Sequence, residues 1–122
     1  MKLMTSQDAS VHSTHESGAP SVAVFFGGKP DSTDVGLVRV TLPAGSGMAS
    51  HRHTGSDVIL TPVVGAVRVT KNDEVVDLVA GDALLIFKYE SVSLSNPHEE
   101  TAELLVAAGP ARFVSTIREW PE

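Results

Sequence analysis

From position 21 onward the chain consists of short apolar or alternating runs separated by turn residues, and none carries a convincing helical stripe. The runs fall at 21–26, 37–42, 58–61, 63–70, 74–79, 83–88, 92–95, 102–108 and 112–116. Val38, Val40 and Leu42 alternate with Arg39 and Thr41, and Val67 and Val69 alternate with Ala66, Arg68 and Thr70. A period of two is that of a half-buried strand. The punctuation is Gly27-Gly28-Lys29-Pro30, Pro43-Ala44-Gly45, Thr54-Gly55-Ser56, Lys71-Asn72-Asp73, Ala80-Gly81-Asp82 and Gly109-Pro110. Many short strands at such spacing predict an all-β sandwich or barrel. Only residues 115–120 have the makings of a short helical turn. Pro62 interrupts an otherwise continuous strand pattern over 57–70, and a proline cannot donate to a sheet ladder, so an edge, bulge or break is expected there.

At 122 residues the chain has the length of one domain. Residues 1–20 show neither period and are rich in small polar side chains. They are expected to be a flexible arm, or a segment ordered only against a partner, ahead of a domain over 21–122. His12 and His15 lie in that arm, where a mobile backbone would not preorganise metal ligands. Nine Lys and Arg against 15 Asp and Glu give a net charge of −6, which argues against nucleic acid as a partner, since phosphate binding needs a basic stripe. The absence of cysteine excludes disulfides, thiolate metal ligation and thiol nucleophiles. No run approaches the ~18 apolar residues of a membrane helix, and the N-terminus lacks the apolar stretch of a secretory signal. These features predict a cytoplasmic protein with no membrane partner. Runs as apolar as 83–87 and 104–108 exceed what one small core absorbs, so a homodimer is expected, with Trp120 as an anchor of that contact or a plug on the barrel.

The chemistry concentrates in one segment, His51-Arg52-His53 followed by Asp57. On a strand, residues two apart share a face, so His51 and His53 project together while Arg52 is expected to face away as a surface charge. Imidazole suits Fe, Ni and Zn, and Asp57, beyond the Thr-Gly-Ser turn, adds a carboxylate. Two histidines and one carboxylate make a three-ligand set with open positions for substrate or oxygen. The same residues serve equally as hydrogen-bonding groups, with Asp57 orienting one imidazole.

Gly45, five residues, His51-Arg52-His53, three residues, Asp57 and a later Gly65 resemble the first motif of the cupins, G-x5-H-x-H-x3,4-E followed by about six residues and a Gly. Asp57 to Gly65 is one residue longer than that pattern. The second motif, G-x5-P-x-G-x2-H-x3-N, aligns on Gly81, Phe87, Tyr89, Val92 and Asn96, of which Gly81 and Asn96 match. The resemblance spans about 38–108 and implies a single-domain double-sheet jelly-roll barrel, usually dimeric. It also implies a metal site of His51, His53 and Asp57 for Fe, Mn, Ni or Zn, with Asp standing for the usual Glu and Val92 for the usual fourth ligand. His98, on the turn after Asn96, is a poor substitute for that ligand. Lys88 and Tyr89 occupy the loop of the second motif, where Lys would anchor an anionic substrate and Tyr would donate a proton. With Val92 they form the expected substrate-binding set. The function implied is an oxygenase, isomerase, cyclase or lyase acting on a small oxygenated molecule, with His51, His53 and Asp57 catalytic. Two alternatives stand beside it: a metal-free pocket using His and Asp for acid–base chemistry, and a non-catalytic small-ligand binding module.

Overall fold

The computed structural model describes residues 1–13, 18–53 and 55–119; His15 and Trp120 lie outside them. Ten strands and one helix follow in order: β1 Ser10–Ser13, β2 Ser21–Gly28, β3 Ser32–Leu42, β4 Gly47–His51, β5 Asp57–Val64, β6 Ala66–Lys71, β7 Glu74–Val79, β8 Leu84–Ile86, β9 Val92–Ser95, β10 Ala102–Gly109 and α1 Arg112–Arg118. All pairings are antiparallel. One sheet has the order β1-β2-β3-β10-β5-β8 and the other β4-β9-β6-β7. This is the double-sheet jelly roll expected, with two separate sheets rather than a closed cylinder.

Alternation places one side of each strand between the sheets. Val22, Val38, Val40, Leu60 and Val106 from the first sheet meet Val67, Val69, Leu78, Val92 and Leu94 from the second in one buried cluster. Each such side chain contributes roughly 1.5–3 kcal/mol relative to exposure, so the cluster holds the sheets face to face. The opposite side of β10, β5 and β8 carries an outward apolar row, Ala107 beside Ile59 beside Leu85, all exposed. The apolar excess of these strands therefore lies on the outer face. At Pro62 β5 continues, but its register with β10 shifts between Glu103 and Leu104, so the expected irregularity is a bulge.

Three segments differ from the sequence reading. Residues 10–13 are not an arm without structure: they pair with β2, Ser10 opposite Val24 through Ser13 opposite Ser21, with His12 buried and its Nε2 2.9 Å from the Ser10 hydroxyl. Gly47–His51 is a strand, although its small residues give no apolar alternation. Residues 112–116, read as a strand, begin α1 instead. Phe113, Val114 and Ile117 have i, i+3/i+4 spacing, and Val114 and Ile117 are buried. Val114 fits where Gly27 and Gly36 have no side chain; a Cβ on either would come within 2.8 Å of it. Lys2 and Arg118 both pair with Asp31 at the β2–β3 turn, and the Lys2 hydrogen bond holds that carboxyl below its ordinary value.

The loop before β4 is fixed by Asn96, a fully buried side chain just after β9. Its Nδ2 donates to the Leu42 carbonyl at 3.0 Å and the Glu100 carbonyl at 2.7 Å, and its Oδ1 accepts the His98 N–H at 3.0 Å. Its backbone exchanges bonds with Ser46 and Gly45. Asn96→Ala strands these carbonyls in a dry setting, and we expect it to lower stability by about 3 kcal/mol in urea denaturation; a loss under about 0.5 kcal/mol would refute this role.

Candidate functional site

Between the sheets is a cavity of about 750 Å³, within the range of small-molecule sites. Its wall is mostly aliphatic: Val38, Val40 and Val106 from one sheet, Val69, Val92 and Leu94 from the other. Phe113, Thr116 and Ile117 of α1 line it as well. His51 and His53 are its imidazoles.

β4 aims His51 inward by means of a bulge. Met48 stands opposite Leu94 and His51 opposite Val92, so three steps along β4 match two along β9. The extra residue lets Met48 and His51, an odd number apart, both face the cavity. The His51 Nδ1 lies 2.8 Å from the Ala49 carbonyl, which only accepts, so Nδ1 carries the hydrogen. In the neutral ring, Nε2 is then left with its lone pair. His53 follows the end of the strand. Its ring packs edge-on between His51, with centroids 4.9 Å apart at 87°, and Phe113, at 5.1 Å and 69°. Its carbonyl accepts the Ser56 N–H, and the buried Ser56 hydroxyl donates to the Pro110 carbonyl at 2.6 Å, which ties this loop to the start of α1. The His53 Nδ1 is buried and has no hydrogen-bond partner among the described residues.

The expected third ligand is elsewhere. Asp57 is exposed at the start of β5, outside the cavity wall, and its Oδ1 accepts the Lys88 N–H at 3.0 Å. Successive strand residues face opposite sides, so with Val58 and Leu60 inward Asp57 must point out. Taking four residues after His53 in the first motif puts Val58 at the acid position, with six residues then leading to Gly65. Val58 is buried and lines the cavity. Val92, at the fourth-ligand position, lies directly across from His51. Among the described residues no group of three or more His, Cys, Asp or Glu is placed to hold a metal. Among the described residues the donor set is two imidazoles among valines, and that set does not fit a resident divalent ion, whose charge needs harder or more numerous ligands.

Lys88 and Tyr89 are exposed beyond β8 and do not line the cavity; the Lys88 ammonium sits 5.5 Å from the Tyr89 ring centroid. Of the expected substrate-binding set, only Val92 reaches the wall. Arg52 does line it, at the exposed rim, because regular alternation ends with β4 at His51. Phe113 and Met48 are further wall residues that the sequence reading missed. Helical spacing over 113–117 was a usable signal for the first; the β4 bulge left none for the second.

Burial, and secondarily the neighbouring His51, pushes the His53 pKa down from 6.5 to about 4. The unfolded chain thus binds its proton before the native one does, so stability falls as pH drops from about 6.5 to about 4. Allowing for partial exposure, the contribution is about 2 kcal/mol. Urea denaturation at pH 7.5 and pH 4 should show wild type losing that much more stability than His53→Phe; equal losses would show that His53 titrates normally.

Among curated proteins, none matches the chain. Solved structures do. A predicted oxalate decarboxylase from Thermotoga maritima superposes with TM-score 0.78 at 21% identity, over 89% of this chain and 99% of that one. An RmlC-like cupin from Shewanella frigidimarina gives TM-score 0.74 at 16% identity, over 92% and 93%. KdgF from Halomonas sp. gives 0.65 at 19%, over 80% and 86%. Likeness at these identities carries the fold alone. The Cupin domain family matches residues 38–108, more than half of the chain, and on that ground the protein belongs to the cupin family.

Proposed function

We propose that this cupin binds a small, largely apolar molecule between its sheets without a metal ion, with His51 and His53 as the hydrogen-bonding pair. The observation that carries this reading is the identity of the inward residues around the histidines. Val58 and Val92 occupy the positions from which a carboxylate and a third imidazole would complete a metal site, and both are buried in the wall. An apolar cavity with a few convergent polar groups is the usual form of a small-molecule site. His53, held neutral near pH 7, is a weak proton acceptor and suits hydrogen bonding better than proton abstraction, which favours the binding alternative over acid–base catalysis.

Metal content and ligand binding test this separately. Purified wild-type protein should hold far less than stoichiometric metal and gain no thermal stability from Mn, Ni or Zn, whereas Val58→Glu/Val92→His should gain several degrees. The neutral fluorophore N-phenyl-1-naphthylamine should bind wild type, unaffected by chelator. Val92→Trp, which fills the cavity opposite His51, should weaken that binding about tenfold. Stoichiometric metal in wild type that disappears from His51→Ala/His53→Ala would overturn the metal-free reading.

A further inference from the structure

The cavity's charge points to a narrower class of ligand. This step rests on the apolar-pocket reading above and adds what the head of the ligand must be. The chain as a whole carries six more negative than positive charges, yet no carboxylate among the described residues lines the cavity. Arg52 is the one charged side chain among the described lining residues. It is exposed between the two histidines and makes no hydrogen bond or ion pair with any described residue. Of the other arginines, Arg39, Arg68 and Arg118 pair with carboxylates, and Arg112, which pairs with no described carboxylate, is outside the cavity lining.

On either side of Arg52 in the chain, His51 turns Nδ1 to the backbone and leaves Nε2 free, and the buried His53 Nδ1 has no partner among the described residues. Beyond these groups the described wall is mostly aliphatic and aromatic, with Ser46 and Thr116 as its further polar side chains. His51, Arg52 and His53 are consecutive, with the two rings in contact, so the charged and imidazole groups cluster together while most of the remaining described wall is apolar. A uniformly polar metabolite would leave its polar groups unpaired against the valines, and a plain hydrocarbon would leave Arg52 and both imidazoles unused.

We infer that the cavity takes a monoanionic amphiphile, an apolar carboxylic acid whose hydrocarbon body lies between the sheets and whose carboxylate meets Arg52. A guanidinium matches a carboxylate with two parallel donors, and that charge-assisted pair is the strongest single contact the site offers. No bond is made or broken in this step; it is binding.

Decanoate and 1-decanol, equal in chain length and different in head, separate the contribution of the charge from that of the hydrocarbon. Each competes with N-phenyl-1-naphthylamine for wild type, Arg52→Gln and Arg52→Lys at low and high salt. Decanoate should displace the fluorophore from wild type and lose affinity about tenfold in Arg52→Gln, with 1-decanol unchanged, so that the ratio of the two dissociation constants moves by that factor. Arg52→Lys should recover part of the loss, and added salt should shrink the preference because the rim is exposed. An unchanged ratio in Arg52→Gln, with both compounds still displacing the fluorophore, overturns the anionic assignment and leaves the apolar pocket standing. Failure of the fluorophore and both decane derivatives to bind wild type overturns both.

Discussion

Successive side chains of a strand leave opposite faces, so seating Val58 and Leu60 against the other sheet obliges Asp57 and Ile59 to face outward. Everything distinctive about the cavity follows from that parity. Shifting β5 by one residue would bring Asp57 beside the histidines but would turn Val58 and Leu60 to water, and a slip that exposes a whole core face is far costlier than one ligand is worth. The same logic holds on β9, where Val92 and Leu94 point inward opposite His51 and Met48. Facing outward, the Asp57 carboxylate instead accepts the Lys88 N–H and fixes the turn after β8.

Around this parity the remaining contacts decide how the two histidines are held. Asn96 ties the ends of β3 and β9 to the loop that starts β4. The bulge in β4 then re-aims His51, and Ala49 settles which of its nitrogens carries hydrogen. His53 is placed from the other side, by the Ser56–Pro110 bond and by the Phe113 ring. The pair is thus assembled from β4, the loop after it and α1, and its apolar surroundings keep His53 neutral.

Much of the fold was legible in the sequence because period-two alternation and turn residues report directly on strands buried on one face. Val38-Val40-Leu42 and Val67-Val69 lie where alternation predicts. Gly45, Gly65, Gly81 and Asn96 carry the resemblance, and Asn96 proves to be a structural tie. The histidines were also legible as a pair. Asp57 misled because spacing along a chain counts residues and not faces; the alternation of Val58 and Leu60 held the information that corrects it. β1 and β4 were hidden because an edge strand of small polar residues has no apolar period, and its partner supplies the order. α1 was hidden because seven residues are too few to fold alone; Val114 stays helical because Gly27 and Gly36 leave it room.

That short helix is both wall and fastening. Its inner side chains, Phe113 and Ile117, belong to the cavity, while its hold on the sheets rests on the buried Val114 and Ile117, with the Arg118–Asp31 pair at its end. A segment with so little stability of its own opens more readily than the strands beneath it. Any occupant touching Phe113 and Ile117 adds to what keeps the helix docked. Occupancy of the cavity and amide protection of residues 113–118 are therefore two readings of one equilibrium, with α1 as its natural reporter.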